Sequence, residues 1–154
     1  MKKASRFLVM GLIVIMLASA FGVPTHAANV DDYPFYNFTM YIWQRFLNPR
    51  VKEDDSRCYL YITEATHPSR IIHISANGCN VNGENRENCT WNAQGVSVSS
   101  VKVWYGQDFS IRNEIYENGY TYCTLGFRID PFQGNEISGV WSPDTAYPHQ
   151  IATD

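Results

Sequence analysis

Beyond its first six residues this 154-residue chain has no basic cluster, and nowhere does it have closely spaced histidines or a Cys-x-x-Cys pair. Each absence removes a class of function. Without grouped Lys and Arg, nucleic acid and anionic membrane surfaces lose the charge that would hold them. Without His-x-His, His-x-x-x-His or paired cysteines, a zinc centre has no sequence basis. No serine stands in a Gly-x-Ser-x-Gly context, and no Asp-x-Asn-x-Asp-Gly ladder offers a calcium loop. No second long apolar run follows residue 23, so no later segment reads as a membrane span. Helical periodicity with capping signals is also missing after that point.

What is present begins with an export signal. Lys2, Lys3 and Arg6 precede an apolar run from Phe7 to Val23, which closes on Thr25-His-Ala-Ala28. A positive start, an apolar middle and small residues at the end describe a secretory signal peptide over 1–27, cut at Ala27 or Ala28. A secreted, extracellular location follows, and the Met-Lys-Lys start is bacterial in style. Three of the 12 basic residues leave with the signal. Nine then face 15 acidic ones, a formal charge of −6 on the mature chain. Residues 28–33 read as a loose leader, 34–145 as one domain and 146–154 as a polar tail.

Within the domain, the pattern is that of short strands. Tyr120–Asp130 alternates, with Cys123, Leu125, Phe127 and Ile129 on one side. Arg57–Thr63 does the same, with Cys58, Leu60 and Ile62 inward. Further strands are expected over 34–43 (Tyr36, Phe38, Met40 and Ile42 alternating against Asn37, Thr39 and Tyr41), 70–75, 89–93, 95–105 with a break near Ser99-Ser100, 109–113 and 136–141. Turn chemistry separates them about every ten residues. The prediction is an all-β fold, an antiparallel β-sandwich of about seven or eight short strands, with a barrel as second choice.

Four cysteines in an exported chain read as two disulfides, of which three pairings are possible. Cys58 and Cys123 lie inward on separate strands, and Cys79 and Cys89 flank an Asn/Gly-rich loop. The favoured pairing is therefore Cys58–Cys123, closing a loop of about 65 residues worth roughly 4 kcal/mol, with Cys79–Cys89 as a local clip.

No catalytic constellation emerges. His67, His73 and His149 are isolated. Residues 44–56, with Asn48-Pro49 and the charged run Lys52-Glu-Asp-Asp55, read as a solvated loop that takes in Asp54 and Asp55, and Glu114 and Glu117 flank a turn. No cofactor and no metal are expected, and the chain reads as a non-enzyme. Asn37-Phe-Thr and Asn88-Cys-Thr are glycosylation sequons only in a eukaryotic route. The suggestive feature is aromatic: Tyr59, Tyr61, Trp104, Tyr120 and Tyr122 are read as outward-facing on strands. Such rings stack on sugars or dock a protein, and equally stabilise a sheet by cross-strand pairing. The expected partner is an extracellular glycan or protein, with no nucleic acid and no stable membrane anchor.

Two stretches together carry a resemblance. Ile137-Ser-Gly-Val-Trp-Ser-Pro-Asp144 follows a Cys123-Thr-Leu-Gly-Phe strand, and Ser56-Arg-Cys-Tyr stands upstream. This is similar to a family of small, uncharacterised exported proteins of Gram-positive bacteria. Their Gly-Arg-Tyr-Arg and Val-Ser-Gly-Tyr-Trp strands are changed here, and the 79–89 loop is inserted. The resemblance implies export but no activity and no site residues. In size and strand pattern the chain also resembles lactococcin-type bacteriocins, a likeness of architecture. It makes a secreted toxin against neighbouring Gram-positive cells the alternative to a binding module.

Overall fold

The computed structural model describes residues 30–40, 44–129, 134–146 and 149–153. The signal segment, its cut at Ala27 or Ala28, and residues 41–43 of the expected first strand lie outside them. Among the described residues there are twelve strands and no helix. They are β1 (Tyr33–Met40), β2 (Arg45–Phe46), β3 (Arg50–Val51), β4 (Cys58–Ala65), β5 (Ile72–Cys79), β6 (Glu87–Asn88), β7 (Thr90–Trp91), β8 (Val101–Val103), β9 (Asp108–Asn113), β10 (Tyr122–Ile129), β11 (Asn135–Ser142) and β12 (Gln150–Ile151). The count exceeds the expected seven or eight because several are two-residue pieces.

They form two sheets. One runs β1-β11-β4-β9-β12, with β7 also on β9. The other runs β2-β10-β5-β6, with β3 also on β10 and β8 on β5. All pairings between these strands are antiparallel except β12 on β9. That parallel strand comes from the stretch read as a polar tail, and Ala152 beside it is buried.

The strands assemble because their alternation is consistent. Cys123, Leu125, Phe127 and Ile129 of β10 are buried, as are Ile72, Ile74 and Ala76 of β5, its antiparallel partner. Cys58, Leu60 and Ile62 of β4 supply the facing layer. Phe127 sits at the centre, with its ring 5.8 Å from Phe35 and 5.3 Å from Phe38. Burying a ring of that size contributes about 1.5–3 kcal/mol.

Two expectations are corrected. In β1, Phe35 rather than Tyr36 is buried, and Tyr36 is 74 % exposed. The register slips by one residue between Phe35 and Phe38, with Asn37 in the left-handed region at φ 49°. A bulge of this kind turns both phenylalanines to the same side although they are three residues apart.

The second correction concerns the disulfides, because all four cysteines are free thiols. Cys79 and Cys89 are separated by register. The Cys89 amide donates to the Ala76 carbonyl, which places it three positions along β5 from Cys79, about 10 Å at a strand's rise. Cys58 and Cys123 do meet across the two sheets, at hydrogen-bonding rather than bonding distance.

Another slip falls between Ser138 and Gly139 of β11, where Thr63 of β4 is the extra residue. Here the backbones come so close that a Cβ on Gly139 would overlap the Tyr61 carbonyl oxygen and stand 2.9 Å from the Phe35 ring. Gly139→Ala is expected to lower stability by about 1–3 kcal/mol through forced overpacking, read as a lower urea midpoint with an unchanged slope.

Candidate functional site

The β2–β3 arm follows β10 along one edge but does not follow it evenly. Arg45 pairs with Phe127 and Phe46 with Gly126, whereas Arg50 pairs with Cys123 and Val51 with Tyr122. The register therefore shifts by one residue across Leu47-Asn-Pro49. In an unbroken strand, residues 45 and 50 would face opposite ways. After the slip, Arg45 and Arg50 both stand opposite inward-facing residues of β10. The bend is held by Leu47, whose amide donates to the Leu125 carbonyl at 3.0 Å and whose carbonyl accepts from Thr124 Oγ1 at 2.6 Å.

These two arginines come to the seam where β1, the edge of the other sheet, meets the arm. A cavity of about 390 Å³ opens there, lined by Phe35, Tyr36, Phe38, Trp141, Arg45, Arg50 and neighbours. Arg45 lies 5.0 Å from the Phe38 ring centre, and its Nη1 donates to the Thr39 carbonyl at 2.6 Å. Arg50 lies 3.8 Å from the Tyr33 ring centre. Its Nε is buried with no hydrogen-bond partner among the described residues. Stacked guanidiniums keep their donors directed while the ring holds the plane in place. The arrangement offers two cations and an aromatic wall in one pocket of an acidic protein.

A second cluster lies buried close to β3. Lys52 and Asp144 form an ion pair whose side chains are both wholly excluded from solvent. Lys52 Nζ donates to Asp144 Oδ1 and to the Ser56 carbonyl. Asp144 also accepts from the Glu53 amide at 3.1 Å and from Ser56 Oγ at 3.3 Å. Asp54 Oδ1 stands 4.0 Å from Lys52 Nζ. Burial works against the Lys52 charge, but the Cys58 sulfur and the Asp144 carboxylate outweigh it and hold its pKa above the ordinary lysine value. Burial lifts the Asp144 carboxyl, with Lys52 drawing it back only in part. The hydrogen bond from Cys123 lowers Cys58, while burial raises Cys123. Among the described residues, no group of three or more His, Cys, Asp or Glu could hold a metal ion.

The five aromatic residues named from the sequence do not share one surface. Tyr59 and Tyr61 lie half-buried on the outer face of β4. Tyr59 stacks on His149 at 4.6 Å and donates to Asp108 at 3.0 Å. Burial, then this bond, raises its phenol pKa. It also helps line a shallow cavity of about 220 Å³ with Asp32, Ser142 and Thr145. Tyr122 is on the outer face of β10, in the opposite sheet. Tyr120 precedes that strand, covers Gly78, packs against the core and donates to Glu87. Trp104 packs against the core beside Phe109, 5.7 Å between rings. Asp54 lies at the rim of the buried pair rather than on a solvated face.

Sequence reasoning missed Arg45, Arg50 and Lys52, since 44–56 read as a charged loop. The one available signal was Asn48-Pro49 between two arginines, a local break in strand geometry.

Lys52→Met is expected to cost about 3–5 kcal/mol, because it leaves the Asp144 carboxylate buried without its cation. Equilibrium urea unfolding at neutral pH measures this.

Residues 23–145 match DUF2712, a family described as protein of unknown function, and the chain belongs to that family. No curated protein matches it, and no solved structure does.

Proposed function

We propose that this DUF2712 protein is exported and acts outside the cell as a non-catalytic binding module. Its ligand is an acidic glycan, seated in the pocket at the seam between β1 and the β2–β3 arm. The observation that carries this reading is that Arg45 and Arg50 line one cavity, the Arg50 guanidinium stacked on Tyr33. A carboxylate or phosphate entering the pocket would accept charge-assisted bonds from these guanidiniums. Phe38 and Trp141 present apolar surface against which a sugar ring can lie. On an acidic chain, two arginines at this pocket favour anion binding there.

The test is calorimetric titration with three probes: an oligogalacturonate, a neutral oligosaccharide of equal length and a polyglycerol phosphate. The expected result is binding of an acidic probe that weakens with salt and falls at least about tenfold in Arg50→Gln, as the loss of one charge-assisted contact implies. Tyr59→Ser and Tyr122→Ser should leave it unchanged. Failure of both acidic probes to bind overturns the reading. So does equal binding by Arg50→Gln, and loss in the tyrosine variants alone would move the seat to the sheet faces.

Export also exposes the thiols to oxidation. Cys58 and Cys123, in contact across the sheets, are expected to join in an oxidising compartment, whereas Cys79 and Cys89 are held apart by register. Peptide mapping of the secreted protein without reduction should find the first linkage and lack the second.

A further inference from the structure

We propose that Lys52 and Asp144 condense to an intramolecular amide that covalently ties the β2–β3 arm to the end of β11. The two residues lie 92 apart in sequence and follow β3 and β11, strands of different sheets. Lys52 Nζ is in direct contact with an Asp144 carboxyl oxygen, and neither side chain is reached by solvent. A third group completes the site. Asp54 Oδ1 is 4.0 Å from Nζ, and its carboxyl is hydrogen-bonded to that of Asp144.

The chemistry of the three groups is complementary. In the carboxyl pair, burial lifts the pKa of Asp144, while the hydrogen bonds from Ser56 overcome burial and lower that of Asp54. When the carboxyl pair takes up a proton, Asp144 is therefore the one that holds it, as the neutral acid, and Asp54 is the base. Beside the Asp144 carboxylate Lys52 is held charged; once that carboxyl is protonated, burial disfavours the ammonium left behind, and Lys52 passes a proton to Asp54. The nitrogen lone pair then adds to Asp144 Cγ, forming the C–N bond. Oxyanion charge develops on Oδ2, where the Glu53 amide already donates at 3.1 Å. Asp54 gives the proton it holds to the departing oxygen and then takes the second proton from nitrogen. The C–O bond breaks and one water leaves, so that ammonium, carboxylic acid and the Asp54 carboxylate become amide, water and protonated Asp54. No oxidant, metal or other reactant is required.

Free amines and carboxylates do not condense in water because their ionised forms are well solvated. Here that solvation is already lost, and the reacting atoms are held in contact, which replaces the encounter step with fixed geometry. Burying the pair is costly as ions and much less so as an amide. Ser56 anchors both partners, with its carbonyl accepting from Lys52 and its hydroxyl donating to Asp144.

The experiment is intact-mass spectrometry of the folded mature protein after denaturation and full reduction of its cysteines. The expected mass is lower than the sequence mass by one water. Digestion should yield a branched peptide joining the segments that contain Lys52 and Asp144. Asp54→Ala keeps both reacting residues and should restore the full mass in a protein whose circular dichroism is unchanged. Full sequence mass in the folded wild type overturns the proposal and leaves a simple ion pair. A water loss mapped elsewhere overturns it equally.

Discussion

The pairing of β5 with β10 runs for eight consecutive residue pairs without a slip. A period of two permits each residue only two directions, so this ladder determines which side chains enter the core. It places Leu125, Phe127, Ile72 and Ile74 in one layer. The second sheet packs on that layer through Phe35, Leu60 and Ile62. Cys58 is brought to Cys123 by the same constraint, since each is the inward residue at its level of its own sheet.

Around this regular centre, the features with chemical character occur where register changes. The bulge in β1 turns Phe35 and Phe38 to one side. The shift across Leu47-Asn-Pro49 turns Arg45 and Arg50 to one side. Both irregularities border the same seam, and together they make a pocket with aromatic walls and two cations. Neither set of residues would meet on perfectly alternating strands. Edges and bulges are where a sheet can redirect side chains without losing its ladder.

The Lys52–Asp144 contact serves a different purpose. The β2–β3 arm is short, with two residues in each strand, and its backbone pairing alone holds it weakly. A buried polar contact to the opposite sheet anchors the arm, and with it the pocket wall that carries Arg45 and Arg50. Such a contact contributes little net stability against apolar packing, yet it specifies one arrangement, because any other leaves a charge buried alone. Geometry at the pocket is therefore tied to the interior by a contact with no tolerance for displacement.

Much of the architecture was legible in the chain itself. Alternation identified the inward residues of β4, β5 and β10, and turn chemistry separated the strands, because period two is a local property that needs no partner to be read. Tyr36 was misread because a bulge shifts the phase without changing residue types. Lys52 was misread because a lysine in an acidic run looks solvated until a carboxylate 92 residues away is placed against it. The amino-acid order by itself determined an all-β chain with two cysteines directed at the core. Only the tertiary structure decided which arginines share a face, which aromatic residues stand apart and which ion pair is buried. Those outcomes depend on strand register and on sheet-to-sheet packing, and both arise from contacts between distant segments.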